Sequence, residues 1–206
     1  MNPTAVVLRG DAVRIEPLDA GHADDLLTAA ADPRIWRYLP IPQPTTIEQV
    51  RAWIAEALRL AASGDELPFA ILDARSGRAV GSTRYLEIRP AWRTLEIGWT
   101  WLAAEAQRTR VNTECKYLLL RHAFEELGAQ RVQFKTDSRN TQSQAALERI
   151  GAVREGVLRK HRILYDGYVR DSVYFSILDD EWPSVRARLE ERLARGAERE
   201  RQGSSR

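Results

Sequence analysis

The chain has 206 residues and a formal net charge of +2, and 44% of its residues are hydrophobic and 29% charged. These values are typical of a soluble globular domain, and the interleaved, nearly balanced charges give no sign of a nucleic-acid partner. The single cysteine excludes an internal disulfide and a sulfur-rich metal site. Because the sequence shows neither a signal peptide nor an apolar run long enough to span a membrane, we expect a cytoplasmic protein without membrane partners.

Alternating and helical spacings of apolar residues predict the elements of the first half of the chain. Several prolines between residues 32 and 46 indicate a loop, and residues 75–77 indicate a tight turn between two strands. The predicted elements are a strand over residues 13–18, a helix over 20–31, the loop over 32–46, a helix that begins at Thr46 and is ended by Gly64 and Asp65, and strands over 67–73, 79–88 and 94–102.

Capping and stop residues mark the elements of the second half. Asn112 is predicted to cap the main helix, over residues 112–127, and the Asp-Gly pair at 166–167 favours a tight hairpin turn. The predicted elements are a helix over 112–127, a strand over 131–136, a helix over 140–150, strands over 153–164 and 168–178, and a last helix capped by Asp180. The apolar face of the last helix ends at Leu193, which predicts one domain over residues 1–193 and a flexible charged tail over 194–206.

Packed as one unit, these elements predict a mixed α/β fold with a central sheet and helices on both of its faces. Their order and four local motifs resemble the GNAT superfamily of acyl-CoA N-acyltransferases over about residues 7–190. Within that superfamily they resemble the RimJ/RimL-like branch of ribosomal-protein N-terminal acetyltransferases. The motifs are the run from Glu96 to Trp99, the stretch from Gln107 to Glu114, Asn140 with Ser143, and the closing stretch from Gly151 through Glu155 to Asp171.

The resemblance implies the GNAT fold, with a twisted and mostly antiparallel sheet, and an enzyme that moves an acetyl or related acyl group from acyl-CoA to a primary amine by direct attack. It implies acetyl-CoA as co-substrate and no metal ion, and it allows a homodimer. The sequence leaves the amine open among a protein N-terminus, a peptide and a small molecule, and it leaves succinyl-CoA open as a longer donor. Two other classes stay open: a catalytically inactive CoA- or ligand-binding module of this fold, and a scaffold that assembles through its last helix.

The loop before the main helix is the predicted site for the pyrophosphate of CoA, because a helix N-terminus offers free N–H groups and partial positive charge. The family pattern is Q/R-x-x-G-x-G/A, whereas this loop has no glycine and carries Arg110 at the first glycine position. Arg108 and Arg110 can compensate with charge, and the threonines and Asn112 with hydrogen bonds. The alternative is a solvated basic loop. The predicted CoA-binding residues are Gln107, Arg108, Thr109, Arg110, Val111, Asn112 and Thr113.

Asn140 and Ser143 begin the helix that, by resemblance, lies beside the pantetheine arm of CoA. The resemblance implies that Asn140 hydrogen-bonds this arm. It also implies that the Ser143 hydroxyl donates to the departing thiolate, which stabilises charge that appears only in the transition state. The alternative is local, with Asn140 as a helix cap and Ser143 as a polar residue of the first turn.

Glu96 is the first candidate for the base that removes a proton from the amine. Along residues 94–102 the odd-numbered positions are apolar and are predicted to face the core, Trp99 among them. Glu96 therefore lies on the opposite face, which in relatives looks toward the acceptor cleft. The alternative is an ordinary solvent-facing glutamate.

Two loop aromatics, Tyr38 and Trp92, are predicted to border the acceptor, where they either shape the pocket or cover the core. A second acidic residue, Asp171, stands in an apolar row of its strand. Because a carboxylate in such a row is costly without a partner, we predict that an arginine such as Arg154 or Arg159 pairs with it.

Overall fold

The computed structural model describes residues 1–64 and 66–203, so Asp65 and residues 204–206 of the predicted tail lie outside the described residues. The strands of the described part are β1 (Leu8–Arg9), β2 (Val13–Pro17), β3 (Leu67–Asp73), β4 (Ala79–Arg89), β5 (Thr94–Leu102), β6 (Arg131–Asp137), β7 (Val153–Ile163) and β8 (Val169–Leu178). They form one sheet in the order β1-β2-β3-β4-β5-β6-β8-β7. Its neighbouring strands are antiparallel except β5 and β6, which are parallel.

Helices flank this sheet. They are α1 (Ala23–Ala29), α2 (Ile47–Ala62), α3 (Arg110–Arg121), α4 (Thr141–Ile150) and α5 (Trp182–Gly203). α1 and α2 pack against each other and against β4 and β3, whereas α3 packs against β1, β2 and α5. The predicted mixed α/β fold, with a mostly antiparallel sheet flanked by helices, is confirmed.

Local sequence signals explain where several helices begin and end. The Thr46 hydroxyl accepts the backbone N–H of Gln49 at 3.4 Å, and the Gln49 side chain bonds back to form a capping box. Asn140 caps α4 by accepting the backbone N–H of Ser143 at 3.0 Å, and Gly151 ends α4 with a φ of 94°. These boundaries agree with the sequence-based prediction.

The boundaries of α3 differ from the prediction. Its N-cap is Thr109, whose hydroxyl oxygen accepts the backbone N–H of Val111 at 3.2 Å. Asn112 therefore lies inside the helix, and the prediction that it forms the cap is wrong. After α3 the chain continues as a π-helical turn over His122–Glu126, which is wider than the α-helix that the apolar spacing indicated.

Residues 194–203 continue α5 as a helix, where the sequence predicts a flexible tail. Arg195 of this segment pairs with Glu191, four residues earlier, at 2.7 Å. Such pairs stabilise an exposed helix without an apolar face. The predicted boundary at residue 193 marks the end of the apolar face of α5, whereas the helix itself continues to Gly203.

A bulge in β5 opens the sheet. The register of β5 against β4 slips by one residue beside Trp99, which takes a φ of 51°. The bulge turns Trp99 into a half-buried position at the gap, so its predicted place in the apolar core row is wrong. β5 pairs with β6 only over residues 94–96. The two parallel strands separate beyond this point and leave a gap between them.

Buried polar contacts fix α3 to the sheet beside this gap. The Tyr85 hydroxyl of β4 donates to the carbonyl oxygen of Leu119 at 2.6 Å. The Glu114 carboxylate accepts the backbone N–H groups of residues 11–13 at distances from 2.6 to 3.0 Å. The first turn of α3 is thereby held at one wall of the gap.

Candidate active site

The gap between β5 and β6 belongs to a continuous cleft with a volume of about 690 Å³. The two strands form its sides, the first turns of α3 and α4 border it, and Arg192 reaches it from α5. The predicted site residues that the structure brings together here are Tyr38, Glu96, Gln107, Arg108, Thr109, Asn112, Thr113, Asn140 and Ser143.

The loop before α3 makes its turn without glycine. Arg108 takes the left-handed φ of 61°, and the backbone of Arg110 is already helical. The position of Arg110 therefore does not need the positive φ that favours glycine. The N–H groups of a first helical turn have no partners within the helix, and this turn lines the cleft through Asn112 and Thr113.

Arg110 and Val111 are not among the described residues that line the cleft, although the sequence places both in the predicted CoA-binding loop. Val111 is buried in the hydrophobic core. The Arg110 side chain packs along α5, where a Cβ on Gly196 would lie 2.9 Å from its Cδ. Arg192 supplies a basic group to the cleft from α5. Sequence reasoning missed this contribution because α5 is distant in the chain from the loop.

Asn140 and Ser143 present hydrogen-bond donors to the cleft. Asn140 Oδ1 is occupied by the backbone N–H of Ser143, whereas Asn140 Nδ2 forms no hydrogen bond with the described residues. The half-buried Ser143 hydroxyl likewise has no partner within the described part of the chain. The local capping role and a ligand-binding role for Asn140 are thus compatible, because they use different atoms.

Glu96 is buried, with 1% of its surface exposed, so the solvent-facing alternative does not hold. Its Oε2 lies 3.0 Å from Lys135 Nζ and accepts a hydrogen bond from Gln133 Nε2 at 3.0 Å. Burial raises the pKa of the Glu96 carboxyl above its ordinary value, although Lys135 and Gln133 oppose the shift. A carboxylate with a raised pKa in a cleft is a stronger proton acceptor.

Lys116 of α3 is a functional candidate that sequence reasoning missed. Its Nζ donates to Thr100 Oγ1 at 2.5 Å and lies 5.9 Å from the centre of the Phe134 ring. Burial lowers the pKa of Lys116 to about 8. Lys116 lies four residues, about one helical turn, after Asn112. Residues at this spacing lie on the same face of a helix, so the sequence could have predicted that Lys116 lines the cleft beside Asn112.

Arg139 lies beside one end of the cleft, next to the lining residues Asp137 and Tyr38. Its guanidinium pairs with the buried Asp137 carboxylate at 2.9 Å. It also lies 3.3 Å from the ring centre of Tyr168 and 5.6 Å from that of Tyr38. Although burial opposes the shift, Arg139 lowers the pKa of Asp137. The Arg139 guanidinium thus lies over the Tyr38 ring, which lines the cleft.

Trp92 and Asp171 do not lie as predicted. Trp92 is 70% exposed and is not among the described residues that line the cleft. Asp171 is half-buried, and its Oδ1 accepts the backbone N–H of Lys160 at 2.6 Å. A bulge in β7, where Lys160 takes a φ of 51°, presents this N–H. The predicted pairing with Arg154 or Arg159 is therefore wrong, because a backbone donor satisfies the carboxylate.

Within residues 1–64 and 66–203, no group of three or more His, Cys, Asp or Glu side chains is placed to hold a metal ion. None of the helices in that part of the chain is both long and apolar enough to cross a membrane. The thiol of Cys115 is buried in α3, and burial raises its pKa to about 11. Such a thiol is a poor nucleophile at neutral pH.

The fold and cleft define an acyltransferase, and comparison with known families supports this class. The family model described as "Acetyltransferase (GNAT) domain" matches residues 12–153. The chain belongs to this GNAT acetyltransferase family, whose members use acetyl-CoA as co-substrate. It is an acyl-CoA-dependent N-acetyltransferase, as its relatives indicate.

Similar proteins agree with this assignment. The crystal structure of a "putative acetyltransferase" from T. thermophilus is 44% identical, with a TM-score of 0.85 over 94% of this chain and 100% of that one. "Probable N-acetyltransferase YjcK" of Bacillus subtilis (strain 168) is 28% identical over 182 residues, 85% of this chain and 99% of the relative. "Putative ribosomal N-acetyltransferase YdaF" of the same strain is 38% identical over 90 residues, 44% of this chain and 48% of the relative. The predicted resemblance to the GNAT superfamily is confirmed, and the similar proteins include one named as a ribosomal N-acetyltransferase.

Proposed function

We propose that the chain acetylates a primary amine in the cleft between β5 and β6, with Glu96 as proton acceptor and Ser143 as hydrogen-bond donor to the leaving thiolate. One observation carries the proposal. A single cleft is lined both by a buried carboxylate and by side-chain donors of Ser143 and Asn140 that have no partner among the described residues. An acyl transfer to an ammonium group needs both functions, since one proton must leave the amine and one negative charge must be stabilised on the leaving group.

The residues present fit acetyl-CoA as donor, which supplies the activated thioester when bound. The first turn of α3 and the exposed Arg108 and Arg192 suit the pyrophosphate. Beyond residue 96, the edge of β5 that faces β6 is paired with no strand in the described part of the chain. Its backbone groups can therefore bond an extended arm in the way that a sheet edge bonds a strand. Asn140 Nδ2 adds a donor beside this edge.

The chemistry uses the Glu96 carboxylate and the Ser143 hydroxyl. Glu96 takes the proton of the acceptor ammonium, directly or through a water molecule, and Lys135 favours the ionised carboxylate that this requires. Ser143 donates a hydrogen bond to the sulfur as the C–S bond breaks and negative charge develops there. The second proton of the attacking nitrogen passes to the departing thiolate or to water. Because Cys115 is buried with a raised pKa, the proposal uses direct attack by the amine and no acyl-enzyme.

The acceptor is proposed from the class of the relatives. YdaF carries the word "ribosomal" in its name, so the N-terminus of a ribosomal protein is the first acceptor to test, followed by other peptides and small amines. Tyr38 borders the end of the cleft where this amine would enter. Residues 1–193 act as one catalytic domain in the cytoplasm without a metal ion, and succinyl-CoA is the alternative donor.

Calorimetric titration with acetyl-CoA and free CoA, followed by a thiol-release assay with N-terminal peptides, tests the proposal. We expect binding in the micromolar range and turnover that falls about a hundredfold in Glu96→Gln, the scale of losing a general base. Binding with no turnover on any amine, unaffected by Glu96→Gln, would identify an inactive CoA-binding module. Absence of CoA binding would overturn the proposal.

A further inference from the structure

Arg162 and Arg170 face each other on neighbouring strands at the cleft. They are direct cross-strand partners in the β7–β8 pairing, and both line the cleft. Like charges in directly opposed positions destabilise a sheet. The pair therefore carries a structural cost in the β7–β8 hairpin.

Arg170 adds a second cost, because it is buried without a partner. Only 7% of its surface is exposed. Its Nε has no hydrogen-bond partner in the described part of the chain, and its guanidinium forms no ion pair there. Burial lowers the pKa of Arg170, and the charge of Arg162 lowers it further, although Asp137 and Glu96 oppose the shift. A buried cation in this condition is expensive.

The other charged groups at this end of the cleft are already paired. Lys135 lies 3.0 Å from Glu96, and Arg139 lies 2.9 Å from Asp137. Burial and the nearby positive charges lower the pKa of His161, which favours its neutral form. The two arginines are therefore left with positive charge that no carboxylate within the described residues neutralises by direct contact.

We propose that Arg162 and Arg170 form an anion site that binds a carboxylate of the substrate next to the reacting amine. A guanidinium matches a planar carboxylate with two parallel hydrogen bonds, and burial strengthens such a pair. The inference rests on the proposed function and narrows it, because it names an acidic substrate. The carboxylate belongs either to the amine acceptor or to a dicarboxylic acyl group on the donor, and both would place the same chemistry at this end of the cleft.

Two pairs of probes separate these sources by calorimetry. For the donor, succinyl-CoA is compared with butyryl-CoA, which has a neutral chain of equal length. For the acceptor, the protein saturated with free CoA is titrated with C-terminally amidated Ala-Glu and Ala-Gln, and with alanine and alaninamide. We expect the acidic member of one pair to bind about ten- to a hundredfold more tightly, the scale of a charged hydrogen bond, and the preference to disappear in Arg170→Met and Arg162→Met.

Arg159→Met is the matched control, because Arg159 is exposed on β7 outside the residues that line the cleft, and it should keep the preference. The melting temperature supplies a second readout. A purely structural arginine would lower the melting temperature when removed, whereas Arg170→Met should keep or raise it, because it removes an uncompensated buried charge.

Equal binding of the acidic and neutral members in every pair would overturn the inference, and so would a preference that survives in both arginine variants. Failure of all CoA species to bind would overturn the proposed function instead. In that case the peptide and amino-acid titrations, run without CoA, still decide whether these arginines bind a carboxylate.

Discussion

The Glu96 carboxylate lies 3.0 Å from the Lys135 ammonium group in the wall of the cleft, and this lysine opposes the rise in pKa that burial imposes on the glutamate. The pair therefore sets the fraction of Glu96 that is ionised at a given pH. A base must be ionised to accept a proton, so the lysine acts on the reaction through the glutamate.

Lys135→Met should move the acidic limb of the profile of kcat/KM against pH to higher pH. Activity falls as pH drops through the Glu96 pKa, and loss of the favourable charge raises that pKa further. Lys160→Met, an exposed lysine of β7, is the matched control and should leave the limb in place. The limb should disappear in Glu96→Gln. An acidic limb that is the same in all four proteins would assign the proton transfer to another group.

Ser143→Ala should lower kcat about tenfold with little change in the KM for acetyl-CoA, because its hydroxyl is proposed to act only as the thioester breaks. Thr141 begins the same helix, is exposed, and does not belong to the described residues that line the cleft. Thr141→Ala is therefore the control and should retain the wild-type kcat. Steady-state kinetics of the two variants side by side provide the measurement, and equal losses would show a general effect on α4.

Asn140 allows its two roles to be separated by substitution. Asn140→Asp keeps an oxygen for the Ser143 N–H at the helix cap but removes the Nδ2 donor, so acetyl-CoA affinity should fall while stability stays close to wild type. Asn140→Ala should lose both affinity and about 1 kcal/mol of folding free energy. Calorimetry and urea denaturation measure the two effects. If Asn140→Asp bound acetyl-CoA with wild-type affinity, Asn140 would serve only as the cap of α4.

The basic residues around α3 are expected to contribute unequally to donor binding. Arg192→Ala should weaken acetyl-CoA binding about fivefold and reduce its dependence on salt, because Arg192 lines the cleft. Arg110→Ala should leave the affinity unchanged, because that side chain packs along α5. Titrations of both variants at low and high ionic strength make the comparison. A larger loss of affinity in Arg110→Ala than in Arg192→Ala would indicate that Arg110 binds the pyrophosphate.

Glu114→Ala should lower the free energy of unfolding by about 3 kcal/mol, because it leaves the N–H groups of residues 11–13 without their acceptor. Glu114→Gln keeps one side-chain oxygen as acceptor, so its free energy of unfolding should fall by less. Urea denaturation of the two variants gives the values. A negligible loss in Glu114→Ala would mean that water replaces the carboxylate at these groups.

Elements with strong local signals could be predicted from the sequence. The bounds of β3 and β5 agree with the prediction, and the cap and stop of α4 follow from Asn140 and Gly151. The cleft residues Glu96, Asn140 and Ser143 were found because a family motif contains them. Each of these signals extends over only a few neighbouring residues.

Features that depend on register could not be predicted. A two-residue turn at 166–167 would place Arg162 opposite Asp171, but the backbone N–H of Leu164 bonds to Tyr168 and adds a residue to the loop. Arg162 therefore meets Arg170. The bulge at Trp99 and the approach of Arg192 from α5 have the same origin, because they arise from contacts between segments that are distant in the chain.

The short pairing of β5 with β6 divides the sheet into two parts, β1–β5 and β6–β8, which are hydrogen-bonded to each other only over residues 94–96. Helix packing also links the two parts. α3 packs against β1, β2 and α5, α5 packs against α4, and α4 packs against β6. These helix contacts therefore connect the two parts of the sheet across the gap between β5 and β6. An acetyl-CoA molecule bound between the two parts of the sheet would contact both of them and couple their unfolding. We therefore expect that, with acetyl-CoA bound, backbone amides on both sides of the gap exchange with solvent as one cooperative unit.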